Sequence, residues 1–180
     1  MKKLALLTTF TIFSLSKSIL AADPTLFPNS ITVMGGYTIS SNKSRLNNNH
    51  TYSFRYTQND LGIDNFGLSA MQIALDYTPD ITYKDANEST TSIKFGANFL
   101  WYLNSDYEFT PYLLGGIGIE HLSNPVGGFN ALDFYANGGA GLEYQLRSDI
   151  SFVGEAKYSY SDEKRKGTTL SAGLKFSFGN

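Results

Sequence analysis

The chemistry this sequence can offer rests mainly on charged side chains that alternate with apolar ones. Arg55, Lys94, Lys157 and Lys175, together with Asp76, Glu120, Asp133, Glu143 and Glu155, fall on the polar positions of runs whose every second residue is apolar or aromatic. On a strand, residues two apart share a face, so these charges gather on one side. If that side is enclosed, mixed signs form a paired network, because a buried charge is tolerated only with a partner. If it is wet, the same residues line a selective pore. A second constellation is His121 and Ser123. At strand spacing they share a face, and the imidazole could act as base for the hydroxyl. Such a pair needs an acid to orient the histidine; Asp133 is near in sequence but alternates onto the face opposite Phe134. His50 and His121 are too few and too isolated for a metal site. There is no cysteine, phosphate loop or nucleotide fingerprint, so neither metal nor cofactor is expected. Asp85-Ala-Asn-Glu-Ser89 places an acid two residues before Asn-x-Ser, the extended bacterial N-glycosylation pattern with Asn87 as acceptor.

The elements that must carry these residues are strands. Period-two alternation recurs along the chain. Ile31, Val33, Tyr37 and Ile39 make one apolar face, and Tyr52, Phe54 and Tyr56 a second, in a run that looks short. Met71, Ile73, Leu75 and Tyr77 follow, then Ile93, Phe95, Ala97, Phe99, Trp101 and Leu103. Leu113, Ile117 and Ile119 begin the second half, followed by Leu132, Phe134, Ala136, Ala140, Leu142 and Tyr144. Ile150, Phe152, Ala156 and Tyr158 come next, and Leu170, Ala172, Leu174, Phe176 and Phe178 close the series. Ser41–Asn49, Thr78–Thr90, Leu122–Ala131 and Ser161–Gly167 read as long polar connections, with Pro79 inside the second. Asn104–Asp106 and Arg147–Asp149 read as short turns, and Gln58–Asn65 as a longer one. Eight runs of about the 9–11 residues a tilted spanning strand needs, joined by alternating long and short connections, predict an all-β, eight-stranded antiparallel up-and-down transmembrane β-barrel.

Composition agrees. Lys2 and Lys3, an apolar run from Leu4 to Leu15 and the small residues before Asp23 read as a signal peptide over residues 1–22, cut after Ala21 or Ala22. Residues 23–180 are then the barrel domain. The formal charge of −2 includes Lys2, Lys3 and Lys17 of this leader, so the remainder is more acidic still, which argues against a nucleic-acid partner. Aromatic residues make up 14% of the chain and there are 17 glycines, a balance that suits a barrel with an apolar outside and a polar inside. A soluble lipocalin-like barrel would reverse the faces, and alternation alone does not say which face is in. Lipid outside is favoured by the aromatics near the ends of the apolar faces (Tyr37, Tyr77, Trp101, Tyr144, Tyr158, Phe178), by the Gly, Ser and Thr of the polar face, and by the aromatic last strand.

Three stretches carry a resemblance: Thr110-Pro-Tyr-Leu-Leu-Gly-Gly-Ile-Gly-Ile-Glu120, Asn137-Gly-Gly-Ala-Gly-Leu-Glu-Tyr144, and Leu170-Ser-Ala-Gly-Leu-Lys-Phe-Ser-Phe178. In this order they resemble the transmembrane domain of the OmpA-type outer-membrane barrel family, well over residues 92–178 and in pattern only before that. The resemblance implies a barrel in the bacterial outer membrane. Many members add a peptidoglycan-binding domain, and none is expected here. Gly179 and Asn180 follow the last aromatic, where such barrels usually end on it. Lipid A 3-O-deacylases are also eight-stranded barrels, and His121-Leu-Ser123 is similar to their His and Ser two residues apart, although the longer motif around that pair is absent.

The expected protein is therefore a non-enzymatic, monomeric outer-membrane barrel with a structural or surface-interaction role. Its expected partners are membrane lipid, lipopolysaccharide and ligands of the external loops. A small-solute pore and a lipid A deacylase are the alternatives. Eight strands leave an interior just wide enough for side chains, so the charges should plug it. Distances counted from Ser148 set Glu143 opposite Val153, and strand eight should bring Lys175 near Val153 and Glu155. Glu143, Glu155, Lys157 and Lys175 are then expected to form one inward cluster in the periplasmic half.

Overall fold

The computed structural model describes residues 28–41, 44–59, 69–85, 87–103, 108–125, 130–162 and 165–179. The proposed leader, 1–22, lies outside them, as do parts of several connections. The strands are β1 (Asn29–Ser40), β2 (Asn49–Asn59), β3 (Ser69–Thr82), β4 (Ser89–Tyr102), β5 (Phe109–Leu122), β6 (Leu132–Arg147), β7 (Ile150–Asp162) and β8 (Arg165–Phe178). Each pairs antiparallel with its sequence neighbour, and β1 pairs with β8 from Asn29↔Phe178 to Ser40↔Gly167, which closes the barrel. Both ends of the strand series therefore sit at one rim. The connections after β1, β3, β5 and β7 sit at the other.

Several boundaries differ from the sequence reading. Thr78–Thr90 is not all loop. β3 continues to Thr82, and Ile81 and Thr82 pair with Thr90 and Ser89 beyond a bulge at Thr78/Ile81. The bulge absorbs Pro79, which has no N–H to give the ladder, and Asp80, which takes φ 47°. The Asn49 side-chain amide donates to the Pro79 carbonyl at 2.5 Å. Likewise β7 and β8 extend to Asp162 and Arg165, leaving almost nothing of the expected loop Ser161–Gly167. The second strand is also longer than it looks, at 11 residues.

Polarity is inverted relative to a water-soluble core. Phe134 is 79% exposed and Ile117 71%, whereas Arg55 is 1% exposed. The apolar face of every strand points outward and the polar face inward, which excludes the lipocalin-like arrangement. Exposed aromatics form two bands: Tyr37, Tyr52, Tyr77 and Tyr158 towards the loop rim, and Trp101, Phe109, Phe152 and Phe178 towards the rim with the termini. Phe109 stacks on Tyr144 at 4.7 Å between centroids. At the loop rim a small apolar cluster of Leu46, Ile81, Tyr83 and Leu122 is buried. It is held by the isolated bridge Leu46↔Tyr83 and by Tyr83 Oη donating to the Asn124 carbonyl at 2.8 Å.

Inward glycines make room for rings. A methyl group on Gly141 would run into the ring of Tyr112, and one on Gly96 or Gly118 would meet Tyr135. Gly154 faces the other way, with nothing within 4 Å of where its Cβ would stand. Gly141→Ala is expected to destabilise the barrel by about 1–3 kcal/mol through overpacking. Gly154→Ala should be neutral or stabilising by up to about 1 kcal/mol. Urea titration in lipid vesicles, followed by Trp101 fluorescence, measures both, and equal midpoints would refute the steric account.

Candidate functional site

The lumen is filled by side chains that meet across it. Near the rim with the termini, Lys175 Nζ donates to Glu143 Oε2 at 2.9 Å and Oε1 at 3.0 Å. Tyr102 Oη donates to the same Oε1 at 3.0 Å, and Lys175 Nζ lies 3.2 Å from Tyr102 Oη. Next to this group is an apolar layer of Met34, Ala70, Leu100, Leu114 and Val153, joined by Tyr102 and Tyr112. Glu155 Oε2 accepts from Arg55 at 2.5 Å and from Tyr112 Oη at 3.0 Å. Lys157 Nζ donates to Asp76 Oδ2 at 2.6 Å, and Ser53 Oγ donates to Asp76 Oδ1 at 2.6 Å. A line of amides, Asn137 to Asn98 to Gln72 to Thr57, crosses four strands at 3.0, 3.0 and 3.2 Å.

The loop half is built around Glu120. Ser92 Oγ donates to its Oε1 at 2.6 Å and Ser161 Oγ to its Oε2 at 2.8 Å. Lys94 approaches Oε1 only to 3.6 Å, and Arg165 NH1 approaches Oε2 to 3.8 Å. Arg165 also donates to Asp133. Above Glu120, the hydroxyls of Thr169, Thr38, Thr51 and Thr78 are linked in a row, each step 2.8 Å.

All the charges that alternation placed on the polar face are thus found in the lumen: Arg55, Asp76, Glu120, Glu143, Glu155, Lys157 and Lys175 buried, Lys94 and Asp133 partly so. Lys175 and Glu143 meet as members of the expected group, but the other partners differ. Glu143 does stand opposite Val153, but Lys175 stands opposite Ser151, two residues from the expected position. Glu143, Glu155, Lys157 and Lys175 do not make one four-charge cluster. Glu155 pairs with Arg55 of β2 and Lys157 with Asp76 of β3, on strands that are not their neighbours. The reason is width: in an eight-stranded barrel the facing wall is within reach of a long side chain, so a direct cross-lumen contact wins over a diagonal one on the next strand. Arg165 and the tyrosines at 102, 112 and 135 were missed as members. Arg165 continues the inward parity of Gly167, Thr169, Ser171, Gly173 and Lys175, a signal its charged surroundings hid.

His121 and Ser123 are both exposed at the loop rim. His121 is paired in register with Ile93 and Leu132 on the outward face. Ser123 Oγ accepts from the Thr91 N–H at 3.0 Å. Asp133 does not approach this pair, because its carboxylate turns into the lumen to Arg165. Asn87 is exposed in the β3–β4 connection, beside Asp85, which pairs with Arg45 at 2.7 Å.

No family model matches the sequence, and no curated protein matches it. Solved structures do. Neisserial surface protein A (NspA) aligns with a TM-score of 0.62 at 15% identity, over 83% of this chain and 96% of that one. The chain has the fold of the eight-stranded outer-membrane barrels. The N-terminal β-barrel domain of Pseudomonas aeruginosa OprF aligns at 0.54 with 14% identity, over 84% of this chain and 98% of that one. The outer membrane enzyme PagL aligns at 0.51 with 18% identity, over 83% of this chain and 99% of that one. These likenesses extend over the whole barrel and concern its architecture.

Lys175→Met leaves Glu143 charged and buried without its cation, with the Tyr102 hydroxyl still donating to it, and is expected to cost about 3–5 kcal/mol, less where lumen water reaches it. Lys84→Met, on the exposed rim, should cost under about 0.5 kcal/mol. Adding Glu143→Gln to Lys175→Met should recover much of the loss, since no unpaired charge is left. Urea midpoints of the four proteins decide this. Equal loss in single and double variants would refute the pairing account.

Proposed function

We propose that this chain is an integral protein of the bacterial outer membrane, of the OmpA-like kind. Its lumen is sealed and its working surface is the loop rim. The observation that carries the reading is the combination of an apolar exterior with cross-lumen ion pairs and an apolar layer inside. Lipid tolerates a closed barrel because every backbone polar group is paired within it. Charges paired at 2.5–2.9 Å across so narrow a bore support the sealed reading. In this reading the rim with the termini faces the periplasm, and the longer connections face outward. The protein acts as a monomer amid lipid and lipopolysaccharide, without catalysis, and offers its external loops to surface ligands.

Two other readings keep a specific feature. Lys94, Glu120 and Arg165 at the loop end would line an entrance if the pairs below opened, which is the pore. His121 and Ser123 at the same rim, on a barrel shaped like PagL, are the feature for lipid A deacylation; the orientation of Asp133 away from them weighs against it.

In planar bilayers the protein should give no large, steady conductance, and Lys175→Met should give more current than the parent. Sustained channels from the parent protein would overturn the sealed lumen. Lipid A from cells with and without the protein should have the same mass spectrum, whereas loss of one acyl chain on expression would establish the enzyme.

A further inference from the structure

At the loop end the lumen widens into a pocket whose wall includes Thr38, Thr78, Lys94, Glu120, Arg165 and Thr169. It has room for roughly four water molecules, enough for one tetrahedral oxyanion. Lys94 sets it apart from the plug. Arg55, Lys157 and Lys175 each donate to a carboxylate at 2.5–2.9 Å. The Lys94 ammonium makes no hydrogen bond among the described residues; it stands 3.6 Å from Glu120 and 5.6 Å above the Tyr135 ring. Glu120 is served by other donors, Ser92 and Ser161 on its two oxygens.

The threonine row supplies a second donor. Three links join the hydroxyls of Thr169, Thr38, Thr51 and Thr78. Each hydroxyl has one proton to give, so one remains over. A row running in a single direction leaves it on Thr169 or on Thr78, and both stand in the pocket wall. An ammonium with unused donors beside a spare hydroxyl proton is the chemistry that holds an oxyanion through charge-assisted hydrogen bonds. Glu120 opposes the anion, and the Arg165 guanidinium, shared with Asp133, offsets part of that charge.

We propose that this vestibule binds a sulfate or phosphate group, with Lys94 as the recognising cation. The site itself does not depend on the membrane reading; that reading adds only that the ligand arrives from outside the cell. The group would come either as the free ion or as the terminal ester of a sugar.

The test uses the full barrel refolded in lipid vesicles, titrated at constant ionic strength with inorganic sulfate, inorganic phosphate, glucose 6-sulfate, glucose 6-phosphate and glucose. Saturable binding of at least one anion, with none of glucose, is expected. Lys94→Gln should weaken it by about tenfold or more, as loss of a charged hydrogen bond implies, and Lys84→Gln should not change it. Glu120→Gln should tighten it, because it removes the opposing charge while keeping the shape. That opposite sign separates recognition from a structural effect and can be read even if Lys94→Gln fails to fold. A sugar ester that binds more tightly than its inorganic ion identifies a glycan source; equal affinity identifies the free ion. Absence of saturation with every anion, unchanged binding in folded Lys94→Gln, or weaker binding in Glu120→Gln overturns the proposal. Conductance does not enter, so its outcome leaves the proposed sealed lumen to be judged separately.

Discussion

The pairing of β1 with β8 is the contact on which the rest depends. An open eight-stranded sheet would present two edges of unpaired N–H and C=O groups, and such groups cost several kcal/mol each in hydrocarbon. Closure removes both edges. It also fixes the number of strands, and the strand number fixes the bore. A bore this narrow holds side chains rather than bulk water, so any charge inside it must find a partner there. The ion pairs, the glycines opposite Tyr112 and Tyr135, and the amide line are consequences of that width.

Much of this was legible in the sequence because a strand has a short period and a barrel has only two faces. Alternation alone assigned Arg55, Asp76 and Lys157 to one side and Phe54, Leu75 and Tyr158 to the other, and the structure keeps those sides. The hairpin arithmetic around Ser148 put Glu143 opposite Val153, and the structure has that pairing through a register shift between Gln145 and Arg147 beside the turn. Contacts across the bore were not legible. Which strand faces which depends on closure and stagger, quantities that no local pattern carries, so Glu155 was matched to a near lysine rather than to Arg55. The extensions of β3 and β8 were hidden by proline and by clustered charge. Both are ordinary loop signals, here overridden by a bulge and by an inward salt bridge.

The two halves of the lumen are built to different ends. The half near the termini combines short ion pairs with the apolar layer of Met34, Leu100, Leu114 and Val153, where water gains little. The loop half replaces that layer with hydroxyls and a more open charge set around Glu120, roofed in part by the small cluster of Leu46, Ile81, Tyr83 and Leu122. The closest ion pairs and the apolar layer thus lie below the polar cup rather than within it.

The cross-lumen pairs also impose a schedule on assembly. Arg55 and Glu155 are 100 residues apart along the chain, and Asp76 and Lys157 are 81. Neither pair can meet before β7 has joined the sheet. Until then these ions need water or another polar surface around them, so the growing sheet cannot be laid strand by strand into bare hydrocarbon. Contacts of such long sequence separation also form slowly, because the entropy of closing the chain is spent before the contact gives anything back. The inner charges are thus paired late, when β7 and β8 arrive.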